Sequence, residues 1–216
     1  MLVYLLTAVP LAYIFVVMLL DAHSMPTRIT VIPVVKGAVC YALVALVMSI
    51  LSPIFPLYYR PVAIYLHYLT DELLLPAALV VGCFFVFSRG LWHETKFDRF
   101  LGLSAFFAGY YTVAGFVDLF THASYFGPYS AFIVPTIRVT LAIMIPSGIV
   151  TYHEERMFTR FFYLAFAAAG PAVAAYIALL YIVGAGALPY LLTLALFLAG
   201  LGGSYAMVRL YLPLRL

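Results

Sequence analysis

The chain has 216 residues, 67% of them hydrophobic and only 9% charged, with a mean hydropathy of +1.13. Soluble globular domains are apolar over about half their residues, so a soluble domain is excluded and an integral membrane protein remains. The formal charge of +3 comes without any basic run interleaved with exposed aromatics, which sets nucleic acid aside as a partner.

Apolar stretches of about 20 residues read as bilayer-spanning helices. Seven occur, roughly Met1 to Leu20, Gly37 to Phe55, Ala63 to Phe87, Phe100 to Phe120, Ala131 to Val150, Phe161 to Val183 and Leu188 to Leu210. The fold class predicted is all-α, a polytopic seven-transmembrane-helix bundle forming a single domain over residues 1–216. Its short connections leave no room for a soluble catalytic or effector domain.

Charge placement orients the bundle. Nine of the eleven Lys and Arg, namely Arg28, Lys36, Arg89, Lys96, Arg99, Arg156, Arg160, Arg209 and Arg215, fall on the first, third and fifth loops and the C-terminus. Arg60 alone marks the opposite side, so retention of positive residues in the cytoplasm predicts an outside N-terminus, an inside C-terminus and residence in the cell membrane. Span one starts without a basic n-region and lacks a small-residue cleavage site before Asp21, so it reads as a retained helix.

In span two, Lys36 sits near the inner boundary, where its long stem can snorkel. Cys40 and Cys83 of spans two and three share a depth on the reducing side, where no disulfide is expected and both read as apolar fillers. Span three enters from outside and carries His67, then Asp71 and Glu72 about 10 to 13 Å deep. Span four holds Tyr110 and Tyr111 and ends with Asp118, followed by His122, while span five brings Arg138 to the level of Asp71 and Glu72. Tyr176 of span six lies at a depth from which it joins Tyr110 and Tyr111 as a pocket wall. Pro76, Pro135, Pro146 and Gly170-Pro171 interrupt spans three, five and six, and Gly200, Gly202, Gly203 and Ser204 smooth the last helix for close packing. Tyr58, Tyr59, Tyr65, Tyr68, Tyr125 and Tyr129 read as an aromatic belt at the outer boundary.

A charge within hydrocarbon costs about 2.5 to 3.5 kcal/mol on insertion scales, so ionisable residues there face the bundle interior. His67, Asp118 and His122 form an expected outer layer over Asp71, Glu72 and Arg138, with Arg138 placed to pair with Asp71 or Glu72. His67 and Asp71 stand at i and i+4, as do Asp118 and His122, so each pair shares a helix face. Three readings fit: a structural polar network, a small-molecule pocket of His67, Asp71, Glu72, Asp118, His122, Arg138, Tyr110 and Tyr111, or a divalent metal ion held by His67, Asp71, Asp118 and His122. On the inner face Asp21, His23, His93, Glu94, His153, Glu154 and Glu155 read as a solvated set balancing the basic loops.

The stretch Phe100-Leu-Gly-Leu-Ser through Val117-Asp118-Leu119-Phe120-Thr121-His122-Ala-Ser-Tyr125-Phe-Gly127 resembles the bacterial membrane-associated sensor (MASE-type) domains, in which a helix closes on an Asp-Leu-Leu-His-like motif and a Tyr-x-Gly turn. Tyr65-Leu-His67 to Glu72-Leu73 is similar to their preceding helix, and Arg138 to an Arg on the next. Such domains precede a histidine kinase or nucleotide cyclase module. The resemblance therefore implies signalling to a cytoplasmic partner, or a chain that is a fragment of a larger signalling protein.

The function expected is a sensor or receptor-like module that binds a small ligand or ion at the outer site within the lipid bilayer, with a homodimer also compatible. The alternatives are a membrane transporter and a metal-dependent intramembrane hydrolase, so enzymatic activity stays open, leaning against. Seven-helix ceramidase-like and progestin-receptor-like hydrolases carry a His-rich final helix, whereas span seven has no His, Asp or Glu. A retinal photoreceptor needs a Lys in the last helix, and the only lysines are Lys36 and Lys96.

Overall fold

The computed structural model describes residues 27–51, 60–89, 95–121, 127–152 and 157–211. Every regular element among them is a helix, and six helices are long and apolar enough to cross a membrane, which makes this a multi-pass helical membrane protein. The expected first span, Met1 to Leu20, lies outside the described residues, as do Asp21, His23, His93, Glu94, His122, Tyr125, His153, Glu154 and Glu155.

Helix α1 (Thr27–Leu51) starts well before Gly37, where the sequence reading opens its second span. Arg28, Pro33 and Lys36 are therefore helical, not part of a loop. The reason is a partner for the charge: Lys36 Nζ donates to the Phe87 carbonyl at 2.6 Å, on the last turn of the following span. A cation there meets the negative end of the helix dipole.

Helix α2 runs as one span, Pro61–Phe87, in three pieces. It enters through Arg60, extended at φ −95°, ψ 139°, as the residue before a proline favours, with Pro61 opening the helix. After Pro61–His67 the chain widens into a π-helical segment, Tyr68–Leu74, closed by the Leu75 N–H on the Thr70 carbonyl five residues back, and then resumes as Leu75–Phe87. Pro76 explains the widening. It has no N–H to offer the carbonyl four or five residues earlier, that of Glu72 or Asp71, and its ring crowds the turn before it.

Helix α3 (Lys96–Thr121) opens on a reciprocal cap: Thr95 Oγ1 donates to Asp98 Oδ2 at 2.7 Å and accepts from the Asp98 N–H at 3.2 Å. Helix α4 repeats the device of α2, with a π-helical Tyr129–Ile133 preceding Val134–Tyr152 and Pro135 standing just beyond it. Helix α5 (Met157–Val183) turns into α6 (Leu188–Tyr211) through Gly184 and Gly186, both at positive φ. The Ala185 N–H reaches the Leu180 carbonyl and the Gly184 N–H the Tyr181 carbonyl, so the last carbonyls of α5 are capped by the turn itself.

Two helices form the hub. The spans of α3 and α4 are each 72% buried, against 17% for α1 and 22% for α2; α1 packs on α3, α5 and α6 pack on α4, and α2 lies mainly against α1 and α5. Helix α1 lies along α3 at a crossing of two glycines: a Cβ on Gly37 would fall on the Phe106 carbonyl, and one on Gly109 on the Val34 carbonyl. Side chains are excluded from that crossing, so backbone touches backbone. Helix α6 meets α4 through Gly200, whose added Cβ would lie 2.6 Å from Thr140 Cγ2, and through Ser147 Oγ and Ser204 Oγ, 3.1 Å apart and buried. Gly202 takes no part in this packing, having open space where its Cβ would be. Outward, α1 presents Val31, Val35 and Val39, and α6 presents Leu191, Leu194 and Leu198. Aliphatic ridges of this kind are stable facing acyl chains and would associate in water.

Candidate functional site

Successive spans run in opposite directions, so the end of α1, the start of α2, the end of α3, the start of α4 and the end of α5 meet at one end of the bundle. It is the end carrying Arg60. A cavity of about 720 Å³ opens there. Helix α2 contributes Tyr68, Asp71 and Glu72, all from its π segment; α3 contributes Tyr110, Tyr111 and Asp118; α4 contributes Tyr129 and Arg138; α1 contributes Tyr41 and Ser49. Ala174 and Ala178 of α5 line it as well, and their small side chains leave room.

Arg138 pairs with Asp118, its Nη2 donating to Oδ2. Depth along the spans predicts Arg138 beside Asp71 or Glu72, with Asp118 in a separate outer layer. The guanidinium instead meets the Asp118 carboxylate of the neighbouring helix. One layer replaces two, since Asp71, Glu72, Asp118 and Arg138 all line the same space.

Asp71 is buried at 4% exposure and its Oδ2 lies 3.9 Å from His67 Nε2, while Glu72 is exposed. His67 stands behind Asp71 and is not among the residues facing the cavity. His67, Asp71 and Glu72 each offer a ligand atom, and these atoms lie within 4.8 Å of one another. One imidazole and two carboxylates are a donor set suited to a divalent ion. It differs from the set read in the sequence: Glu72 joins in place of Asp118, which faces Arg138, and His122 is outside the described residues.

Tyr110 and Tyr111 line the cavity, with ring centroids 5.3 Å apart and nearly perpendicular, and Tyr41 meets Tyr110 at 5.5 Å. Tyr176 does not join them; it is 46% exposed, because depth fixes how far along a helix a residue lies but not which way it faces. Three further tyrosines escape the sequence reading. Tyr68 and Tyr129 read there as belt anchors and Tyr41 is not singled out, yet all three face the cavity. The available signal was proline: each π segment precedes one, and each brings a tyrosine to the site.

Comparison with known proteins finds no family model, no curated protein and no solved structure that matches this chain.

Proposed function

We propose that this protein is a membrane sensor or receptor-like module that binds a small ligand or ion in the cavity and signals to a cytoplasmic partner. The observation that carries the reading is the gathering of Asp71, Glu72, Asp118 and Arg138 around one space between five helices. Ionisable groups at membrane depth are costly and default to a functional role, and a concave site with a few convergent polar groups is the usual form of a ligand pocket. The resemblance of spans three to five to MASE-type sensors supports the same reading, and the basic residues on alternate loops support a seven-helix bundle with its N-terminus outside. Signalling follows if ligand binding favours one packing of the helices over another, since equal affinity for both would transmit nothing.

A metal-ion version of the site is favoured by the closeness of His67, Asp71 and Glu72. Elemental analysis and native mass spectrometry of the purified full chain test both versions. A stoichiometric metal or a retained small molecule is expected, and its loss from an Asp71→Asn/Glu72→Gln variant that stays folded ties it to the cavity. Retention at wild-type level in that variant would sink the proposal.

A further inference from the structure

The cavity wall carries more hydroxyls than the protein itself uses. Tyr41, Tyr68, Tyr110, Tyr111 and Tyr129 line it from four different helices, and among the described residues none of their hydroxyls has a hydrogen-bond partner. Tyr110 and Tyr111 keep only 7% and 9% exposure while lining the cavity. A phenol held at such depth is costly unless its O–H is bonded, and two neighbours in that state mark a place built to bond something else.

The rings set the shape of what fits. Tyr110 and Tyr111 stand at 75° to each other and Tyr41 at 57° to Tyr110, with centroids 5.3 and 5.5 Å apart. Each tyrosine offers an apolar ring face next to a hydroxyl, and the set does so from several directions. At about 720 Å³ the space lies in the range of ligand pockets, about 300 to 1,000 Å³.

The ionised groups complete the wall as acceptors. Arg138 is engaged by Asp118, and Asp71 Oδ2 lies 3.9 Å from His67 Nε2. A carboxylate in such a contact keeps lone pairs for further O–H donors, since its two oxygens hold about four acceptor sites. Glu72 adds another acceptor at an exposed position. A ligand hydroxyl that donates to a carboxylate and accepts from a phenol uses both kinds of group and leaves the existing contacts in place.

We infer that the cavity binds an uncharged polyhydroxylated ring compound, a mono- or disaccharide, whose C–H faces lie on the tyrosine rings and whose hydroxyls bond the phenols and carboxylates. This rests on the reading of the cavity as a ligand site and names its ligand class.

Calorimetric titration of the full chain in phospholipid nanodiscs, free of glycoside detergent and referred to empty discs, tests it with glucose, galactose, maltose and myo-inositol as probes. Glucosamine, glucuronate and cyclohexanol, which keeps a ring with a single hydroxyl, accompany them. At least one neutral polyol should bind, and cyclohexanol at least roughly a hundredfold more weakly. Tyr110→Phe/Tyr111→Phe, which keeps both rings, should weaken the polyol by roughly tenfold to a hundredfold. If that double variant does not fold, the two single Phe variants take its place, each weakening the polyol by roughly threefold to tenfold.

Cyclohexanol binding as tightly as the polyols, or polyol binding unchanged in the tyrosine variants, overturns the inference. Binding of glucosamine or glucuronate alone, with every neutral polyol silent, overturns the uncharged class and leaves the site standing. Silence of every probe overturns the ligand class; a stoichiometric metal or retained molecule in native mass spectrometry of the same preparation then upholds the site, and its absence sinks both.

Discussion

Asp118, near the end of α3, and Arg138, inside α4, form an ion pair that joins the two most buried helices of the bundle at the mouth of its cavity. Both side chains keep some exposure, 21% for Arg138 and 44% for Asp118. Breaking the pair by Arg138→Gln should therefore cost about 1 kcal/mol, well short of the about 3 to 5 kcal/mol of a sealed pair. Asp118→Asn/Arg138→Gln should recover part of that loss, because no charge is left unmatched. A double-mutant cycle on unfolding free energies checks this, and strictly additive single losses would show that the two groups do not act together.

The glycine crossing of α1 and α3 gives a sharper steric test. Gly37→Ala or Gly109→Ala puts a methyl group on a backbone carbonyl that cannot step aside, so a loss of about 1 to 3 kcal/mol is expected. Gly202→Ala, with open space around it, should stay within about 0.5 kcal/mol of the parent. Thermal unfolding in one detergent ranks the three variants, and equal melting temperatures would contradict the crossing.

Pro76→Ala returns a backbone N–H to α2 and removes the ring that crowds the preceding turn. Relaxation of the π segment to α geometry shifts the register by one residue, about 100° of rotation. Tyr68, Asp71 and Glu72 would then turn away from the cavity together. The variant should melt no lower than the parent yet lose at least roughly tenfold in affinity for any ligand of the cavity. Parental affinity would show that the widened turn survives without proline.

Lys36→Met removes the donor that meets the Phe87 carbonyl and should lower stability by about 0.5 to 1.5 kcal/mol. Lys36→Arg should keep most of it. Amide exchange at the end of α2 reads the effect locally, and unchanged protection in Lys36→Met would mean the contact contributes nothing.

Much of the bundle is legible in the sequence where chemistry and length agree. The α5 to α6 connection falls between Val183 and Leu188 as expected, since two glycines interrupt an otherwise unbroken apolar run. The start of α1 was not legible: Lys36 looks like a loop charge until its carbonyl partner, 51 residues away, is known. For the site, the cost of burying charge was enough to select Asp71, Glu72, Asp118 and Arg138. It could not assign Arg138 its partner, because a side chain that spans a helical turn blurs depth. Tyr68 and Tyr129 read as belt residues from their level at the outer boundary, and level alone does not say that their side chains face the cavity.

The contacts of Gly37 with the Phe106 backbone and of Gly109 with the Val34 backbone bear on how this molecule can move. Two main chains touching with nothing between them have no rotamers to rearrange and no gap to slide into, so α1 and α3 travel as one strut. Any deformation that begins at the tyrosine-lined end must be carried by α2, α4 and α5 sliding past that strut. Tyr41 and Tyr110, both mounted on it, keep their spacing throughout.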